Sequence, residues 1–162
     1  TSTFPIPISL KRIKYNSTTG MPDFKDCDTD HWGRYYFSFD VSYGFEDLYN
    51  NRFGLLDKFE QYWLQVAKVF KNNPYVIAYE LINEPFAGAV FKNPLIVDPW
   101  VAEALNLQRF YDRLAKAIRE EDDTHPICFE PVTWNNAIKT GFSHPPGGFR
   151  YKDQSVFCYH YY

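Results

Sequence analysis

The chain of 162 residues has three cysteines, one methionine and no strong charge excess of either sign. Cys27, Cys128 and Cys158 are odd in number and lack C-x-x-C spacing. Cys128 and Cys158 lie in apolar strand-like runs and read as inert core thiols. No run approaches the ~18 consecutive apolar residues of a membrane-spanning helix. A net charge of −3 and a pI near 5.8 give no electrostatic footprint for nucleic acid. G-x-S-x-G, G-x-x-x-x-G-K-[ST] and G-x-G-x-x-G are all absent. His31, His125, His144 and His160 show no metal-ligand spacing, so neither a metal nor an organic cofactor is expected. The first residue is Thr, and no signal-peptide core follows it.

Aromatic residues are abundant: 15 Phe, 13 Tyr and 4 Trp make up 20% of the chain. This composition is too apolar for a disordered chain. It suits a large core or a lined cleft. The acidic run Glu120-Glu-Asp-Asp123 reads as a solvated loop. Asn16-Ser17-Thr18 is an N-glycosylation sequon, which points to a secreted, lumenal or lysosomal protein.

Residues 1–44 read as loop-rich, with prolines and a Ser-Thr-Thr-Gly stretch. The spacing predicts a helix over 45–71, with Leu55, Phe59, Tyr62, Trp63, Val66 and Phe70 on one face. Asn72-Asn73-Pro74 stops it. The apolar run that follows predicts a strand over 75–84, buried on both faces as in a parallel sheet. Asp98-Pro99 supplies an N-cap and a first-turn proline for a helix over 99–121. Its stripe is Leu107, Phe110, Tyr111, Leu114, Ala115 and Ile118. Further strands are expected at 126–131 and 155–162. Strands alternating with helices argue for an α/β fold with a parallel sheet. A closed (β/α)8 barrel needs about 250 residues. The chain is therefore expected to be a central portion of a TIM barrel, one partial catalytic domain over 1–162, with its last strand cut off in full stride.

The sharpest chemical feature is Asn83-Glu84-Pro85 at the end of the first predicted strand. Barrel enzymes place catalytic side chains where a strand meets its loop. Burial raises a carboxyl's pKa, as a proton donor working near neutral pH requires. Asn83 sets an amide beside the acid, suited to a hydroxyl.

Tyr79-Glu-Leu-Ile-Asn-Glu-Pro85 resembles the Asn-Glu-Pro signature of glycoside hydrolase family 5, a retaining family on the TIM barrel. Phe129-Glu-Pro-Val-Thr-Trp134, Gly141-Phe, Pro146-Gly-Gly148 and Ser155-Val-Phe-Cys-Tyr-His-Tyr-Tyr162 follow in the order of its endoglycoceramidase and glycosylceramidase branch. Trp32-Gly-Arg-Tyr-Tyr-Phe37 and Leu48-Tyr-Asn50 also fit upstream. The resemblance implies that the segment covers about barrel strands four to six. It implies Glu84 as general acid/base and Asn83 as the ligand of the sugar 2-hydroxyl. His160 and Tyr162 would contact the sugar and position the nucleophile. Trp32 and Trp134 are candidates for stacking or lining, with plain packing as the alternative.

A retaining enzyme needs a second carboxylate about 5–5.5 Å from the first. Glu80 lies roughly 13 Å along the same strand from Glu84, at ~3.3 Å per residue, which is too far. It shares strand parity with Glu84 and is expected to point into the barrel as a paired acid. Glu130 ends the neighbouring strand, about 4.8 Å away, so distance alone leaves it open as nucleophile. The family pattern instead puts the nucleophile on the seventh strand, beyond Tyr162. The implied reaction is cleavage between glycan and ceramide in a glycosphingolipid. Such a substrate brings peripheral contact with membrane lipid or a detergent-like activator. The alternatives are a β-glucan-cleaving hydrolase of the same family and a catalytically dead glycolipid- or carbohydrate-binding barrel.

Overall fold

The computed structural model describes residues 16–21, 36–37, 39–135 and 139–161. Trp32, Tyr162, Cys27 and His31 lie outside the described residues.

Helix α1 spans Phe39–Tyr49 and helix α2 spans Leu55–Phe70. One helix over 45–71 was the expectation, and the chain breaks it at 50–54. Asn51, Phe53 and Gly54 take left-handed φ values of 54°, 56° and 72°. Asn and Gly tolerate this conformation, and they sit where a turn must redirect the chain. Asn51 fastens the new helix with both ends of its amide: Oδ1 accepts from the Asp57 N–H at 3.0 Å, and Nδ2 donates to Asp57 Oδ1 at 2.9 Å. The loop expected to run to residue 44 is also shortened, because α1 already starts at Phe39.

Helix α3 spans Pro99–Ala102, and α4 spans Gln108–Glu121. A π-helical turn, Glu103–Leu107, joins them into one continuous helix over the expected range. Asp98 caps its start as expected, with Oδ1 accepting from the Trp100 N–H at 3.0 Å. The extra residue in a π turn rotates the side chains around it and is often found near functional sites. Here it turns Glu103 and Asn106 inward, where both are buried.

Three parallel strands form a sheet in the order β1 (Tyr79–Glu80), β2 (Ile127–Phe129) and β3 (Ser155–Phe157). Glu80 pairs with Cys128, and Cys128 pairs with Val156. The strands sit inside the expected ranges but are much shorter. Hydrogen bonds carry the ladder a little further, from the Leu81 N–H to the Cys128 carbonyl and from the Cys158 N–H to the Phe129 carbonyl. Residues 75–78 precede the ladder, and Tyr75 and Ile77 are exposed.

The two faces of the sheet differ. Tyr79, Leu81, Ile127 and Phe129 point outward and are buried under α2 and α4. Trp63 of α2 packs on Tyr79 and donates its indole N–H to the Leu81 carbonyl at 3.2 Å. Tyr111 of α4 meets Phe129 edge-on, and Phe59 stacks on Phe110 between the helices. Glu80, Ile82, Cys128, Val156 and Cys158 share the other face and are exposed or only partly covered. In a TIM barrel one sheet face meets the helices and the other fills the lumen. The burial pattern assigns those two faces without ambiguity. Cys128 and Cys158 are therefore lumen-facing and half-buried among the described residues. Burial and the neighbouring Cys128 thiol push the Cys158 thiol up to about 12, so it is unreactive near neutral pH.

The acidic run at 120–123 is not simply solvated. Asp122 is only 3% exposed. It accepts hydrogen bonds from the Tyr79 hydroxyl at 2.7 Å, the Thr124 N–H at 2.9 Å and the His125 N–H at 3.1 Å. Residue Asp122 thus ties the exit of α4 to the start of β1. No helix among the described residues is long and apolar enough to cross a membrane.

Candidate active site

The strand exits of β1, β2 and β3 bring Glu84, Glu130 and His160 together. Glu84 is 7% exposed and has a left-handed φ of 48°. For a residue with a side chain this costs of order 1–3 kcal/mol. The following Pro85 adds to the strain, because proline disfavours helical conformations in the residue before it. Three groups hold the conformation. Glu130 Oε2 accepts from the Glu84 N–H at 2.9 Å. The Thr133 hydroxyl donates to the Glu84 carbonyl at 2.7 Å, and the Thr133 N–H donates to the Pro85 carbonyl at 3.0 Å. The loop beyond is pinned as well. The Tyr49 hydroxyl donates to the Phe86 carbonyl at 2.6 Å, and Asn106 Nδ2 donates to the Ala87 carbonyl at 2.8 Å. The backbone that aims Glu84 is thus fixed by α1, the π turn and the β2 exit.

The Glu84 carboxyl meets the His160 imidazole, with Nδ1 2.8 Å from Oε1. His160 Nε2, on the far side of the ring, lies 3.6 Å from Glu130 Oε1. The hydrogen bond to Glu84 raises the imidazole pKa above its ordinary value, and the charges of Glu130 and Glu80 reinforce this against partial burial. Ligand atoms of Glu80, Glu130 and His160 all lie within 4.8 Å of one another. Glu80 therefore points into the lumen as a paired acid, as its strand parity implied.

Glu130 is 2% exposed. Burial pushes its carboxyl up to about 7; Glu80 adds to the rise, while the Glu84 N–H and the His160 charge oppose it. Tyr111 holds the Glu130 backbone from below. Its hydroxyl donates to the Glu130 carbonyl at 2.9 Å and accepts from the Glu130 N–H at 3.1 Å. Tyr36, buried beside the site, has its hydroxyl pKa raised by burial and then by the charges of Glu84 and Glu130.

Of the residues singled out from sequence, the structure brings Glu84 and His160 into contact. Asn83 is adjacent and exposed. Trp134 follows Thr133 and is half-buried. Its ring stacks on Phe37 at 5.6 Å and meets Phe86 edge-on at 5.1 Å, and its indole N–H donates to the Val97 carbonyl at 3.1 Å. Those contacts are packing contacts. Trp32 and Tyr162 lie outside the described residues. Sequence reasoning missed the structural parts played by Thr133 and Tyr111. Only Glu130 carried a signal, through its place at the end of the neighbouring strand.

A parallel sheet with one face under helices and a buried acid at a strand exit is the arrangement of a TIM-barrel enzyme. The model of the cellulase family, glycosyl hydrolase family 5, matches residues 26–162, and the chain belongs to that family. The endoglycoceramidase of Hydra vulgaris is 48% identical over 159 residues, which are 98% of this chain and 30% of that protein. Endo-glycoceramidase II from Rhodococcus sp., solved as a complex with ganglioside GM3, superimposes with a TM-score of 0.66 at 27% identity, covering 83% of this chain and 29% of that one. The same enzyme solved as a lactosyl-enzyme intermediate gives a TM-score of 0.67 at 26% identity, over 83% and 31% of the two chains. The chain thus spans about three tenths of the length of these relatives.

Proposed function

We propose that this chain supplies the acid/base half of a retaining β-glycosidase that hydrolyses the bond between glycan and ceramide in glycosphingolipids. The observation that carries this reading is the buried Glu84 carboxyl at a strand exit, 2.8 Å from His160 Nδ1 and held by a strained, triply braced backbone. Glu84 protonates the glycosidic oxygen as the bond breaks. The carboxylate so formed then takes a proton from the water that attacks the glycosyl-enzyme. His160 shares the proton with Glu84 and orients its carboxyl. Asn83, exposed next to the acid, donates to the sugar 2-hydroxyl. Tyr162 is assigned to the same sugar, and Trp32 and Trp134 to the walls of the cleft.

Neither acid near Glu84 suits the nucleophile's task. Glu80 is displaced along the strand, and Glu130 spends Oε2 on the Glu84 backbone from a buried position. The nucleophile is assigned to a glutamate on the seventh barrel strand, outside these residues. Support for the covalent route comes from the lactosyl-enzyme form of the Rhodococcus relative, and support for the lipid comes from its GM3 complex. A lipid substrate brings contact with membrane lipid or a detergent-like activator. The exposed sequon residue Asn16, whose Oδ1 accepts from the Thr18 N–H at 2.8 Å, supports a secreted, lumenal or lysosomal location.

In a full-length protein containing this chain, Glu84→Gln should lower turnover of a glycosylceramide about 10²–10⁴-fold. Near-wild-type hydrolysis by that variant would sink the assignment. The family model's cellulase description favours a second reading, a β-glucan-cleaving enzyme. Side-by-side assays on a glycosylceramide and a soluble β-glucan oligomer separate the two.

A further inference from the structure

We propose that Glu130 is a positioning residue for Glu84, holding the acid's backbone with one carboxyl oxygen and the far side of its imidazole partner with the other. The proposal rests on Glu84 being the acid/base. Glu130 Oε2 accepts from the Glu84 N–H at 2.9 Å, at the residue whose φ is 48°. Without that acceptor the left-handed turn loses this brace. Glu130 Oε1 is buried with no hydrogen bond among the described residues. It faces His160 Nε2 at 3.6 Å, while the other ring nitrogen is 2.8 Å from Glu84. One carboxyl group therefore reaches Glu84 by two routes, through its main chain and through its proton-sharing partner.

The groups facing Glu130 are Glu80 and Glu84 from β1 and its exit, Tyr111 from α4, Tyr36, and Cys158 and His160 from the β3 exit. Of these, His160 is the one that becomes a cation, and the Glu130 charge helps to raise its pKa. Replacing Glu130 with a neutral side chain removes the charge that it carries above about pH 7 and that helps to hold the His160 proton beside Glu84. The basic limb of the rate profile, which reports loss of the productive proton, then moves to lower pH.

Two variants in the full-length protein separate the routes. Glu130→Gln keeps a carbonyl oxygen for the Glu84 N–H but removes the charge. Glu130→Ala removes both. Two substrates separate positioning from general damage: an alkyl glycoside, whose leaving group needs a proton, and a dinitrophenyl glycoside, whose leaving group does not. For Glu130→Ala, kcat/KM on the alkyl glycoside should fall about a hundredfold, and less than about fivefold on the dinitrophenyl glycoside. Glu130→Gln should stay within about tenfold of wild type, with its basic limb about one pH unit lower. Equal losses on both substrates would overturn the proposal, as would a wild-type profile in Glu130→Gln. If Glu130→Ala does not fold, the Glu130→Gln profile decides. Glu84→Gln is measured in parallel. Wild-type alkyl-glycoside turnover there removes the acid assignment, and the proposal with it. A large loss there, alongside Glu130 variants indifferent to the leaving group, removes only the role of Glu130.

Discussion

Two buried carboxyls, Glu130 and Asp122, titrate in opposite directions, and the difference lies in who donates to them. Burial would raise Asp122, but hydrogen bonds from Tyr79, Thr124 and His125 outweigh it and hold the carboxyl below its ordinary value. Asp122 therefore stabilises the fold fully above its unfolded value of 3.8, and that stability is lost as pH falls through the lower folded value. Burial raises Glu130 from 4.5 to about 7, so its contribution is complete below 4.5 and is lost as pH rises through about 7. Thermal melts from pH 3 to 8 should show Glu130→Gln flattening the decline between about 4.5 and 7. Asp122→Ala strands the Tyr79 hydroxyl and two backbone N–H groups, and should cost about 3 kcal/mol at neutral pH by denaturant titration. Neither outcome was legible in the sequence. Asp122 sits in a run of four acidic residues, and only the fold decides which of them turns inward.

The long helix illustrates what local sequence reports and what it hides. Asp98-Pro99 and the Leu107–Ile118 stripe gave its limits, because capping and periodicity act within a few residues. The π turn at Glu103–Leu107 has no such signal. It exists because Glu103 serves partners on a distant loop. Its carboxylate accepts from Asn135 Nδ2, the Val132 N–H at 3.3 Å, the Thr140 hydroxyl at 2.8 Å and the Gly141 N–H at 2.7 Å. These bonds latch the loop that carries Thr133 and Trp134. Glu103→Ala leaves the Val132 and Gly141 N–H groups without their acceptor and removes one bond each from Asn135 and Thr140, and should cost about 2–3 kcal/mol. Gly141→Ala tests the same latch from the loop side, because a Cβ there would lie 1.9 Å from the Trp100 carbonyl oxygen. Both variants should speed limited proteolysis within 131–142, and a wild-type cleavage pattern would count against the latch. The broken helix at 50–54 was missed for the converse reason. The apolar spacing of residues 55–70 alone does not mark where the helix begins, and the left-handed turn at Asn51, Phe53 and Gly54 sets that start.

At the scale of the molecule, the sheet has one covered face and one open face. Val156 is 44% exposed, and Ile82, Cys128 and Cys158 are only partly covered. In a closed barrel that face is packed by strands from the opposite side. Residues 1–162 expressed alone should therefore associate through the open face and the sheet edges. Sedimentation velocity should show mass rising with concentration, whereas a full-length protein should not. The same preparation should lack glycosidase turnover, and activity with cooperative unfolding would refute this. Alternation of helix and strand, the order of the motifs and the place of Glu84 just beyond the first strand could all be read along the chain, because each is a matter of near neighbours or of a short motif.

The sequence by itself determined the alternation of helix and strand, the family the chain belongs to and the glutamate that follows the first strand. Those properties follow from capping, periodicity and motif spacing, which act over a few bonds. Tertiary structure alone decided that Glu130 braces Glu84, that His160 bridges the two acids and that Glu103 latches the loop beneath them. Each of those contacts joins residues about 30 or more positions apart. Such contacts depend on strand register and helix packing, and no local pattern in the chain encodes either.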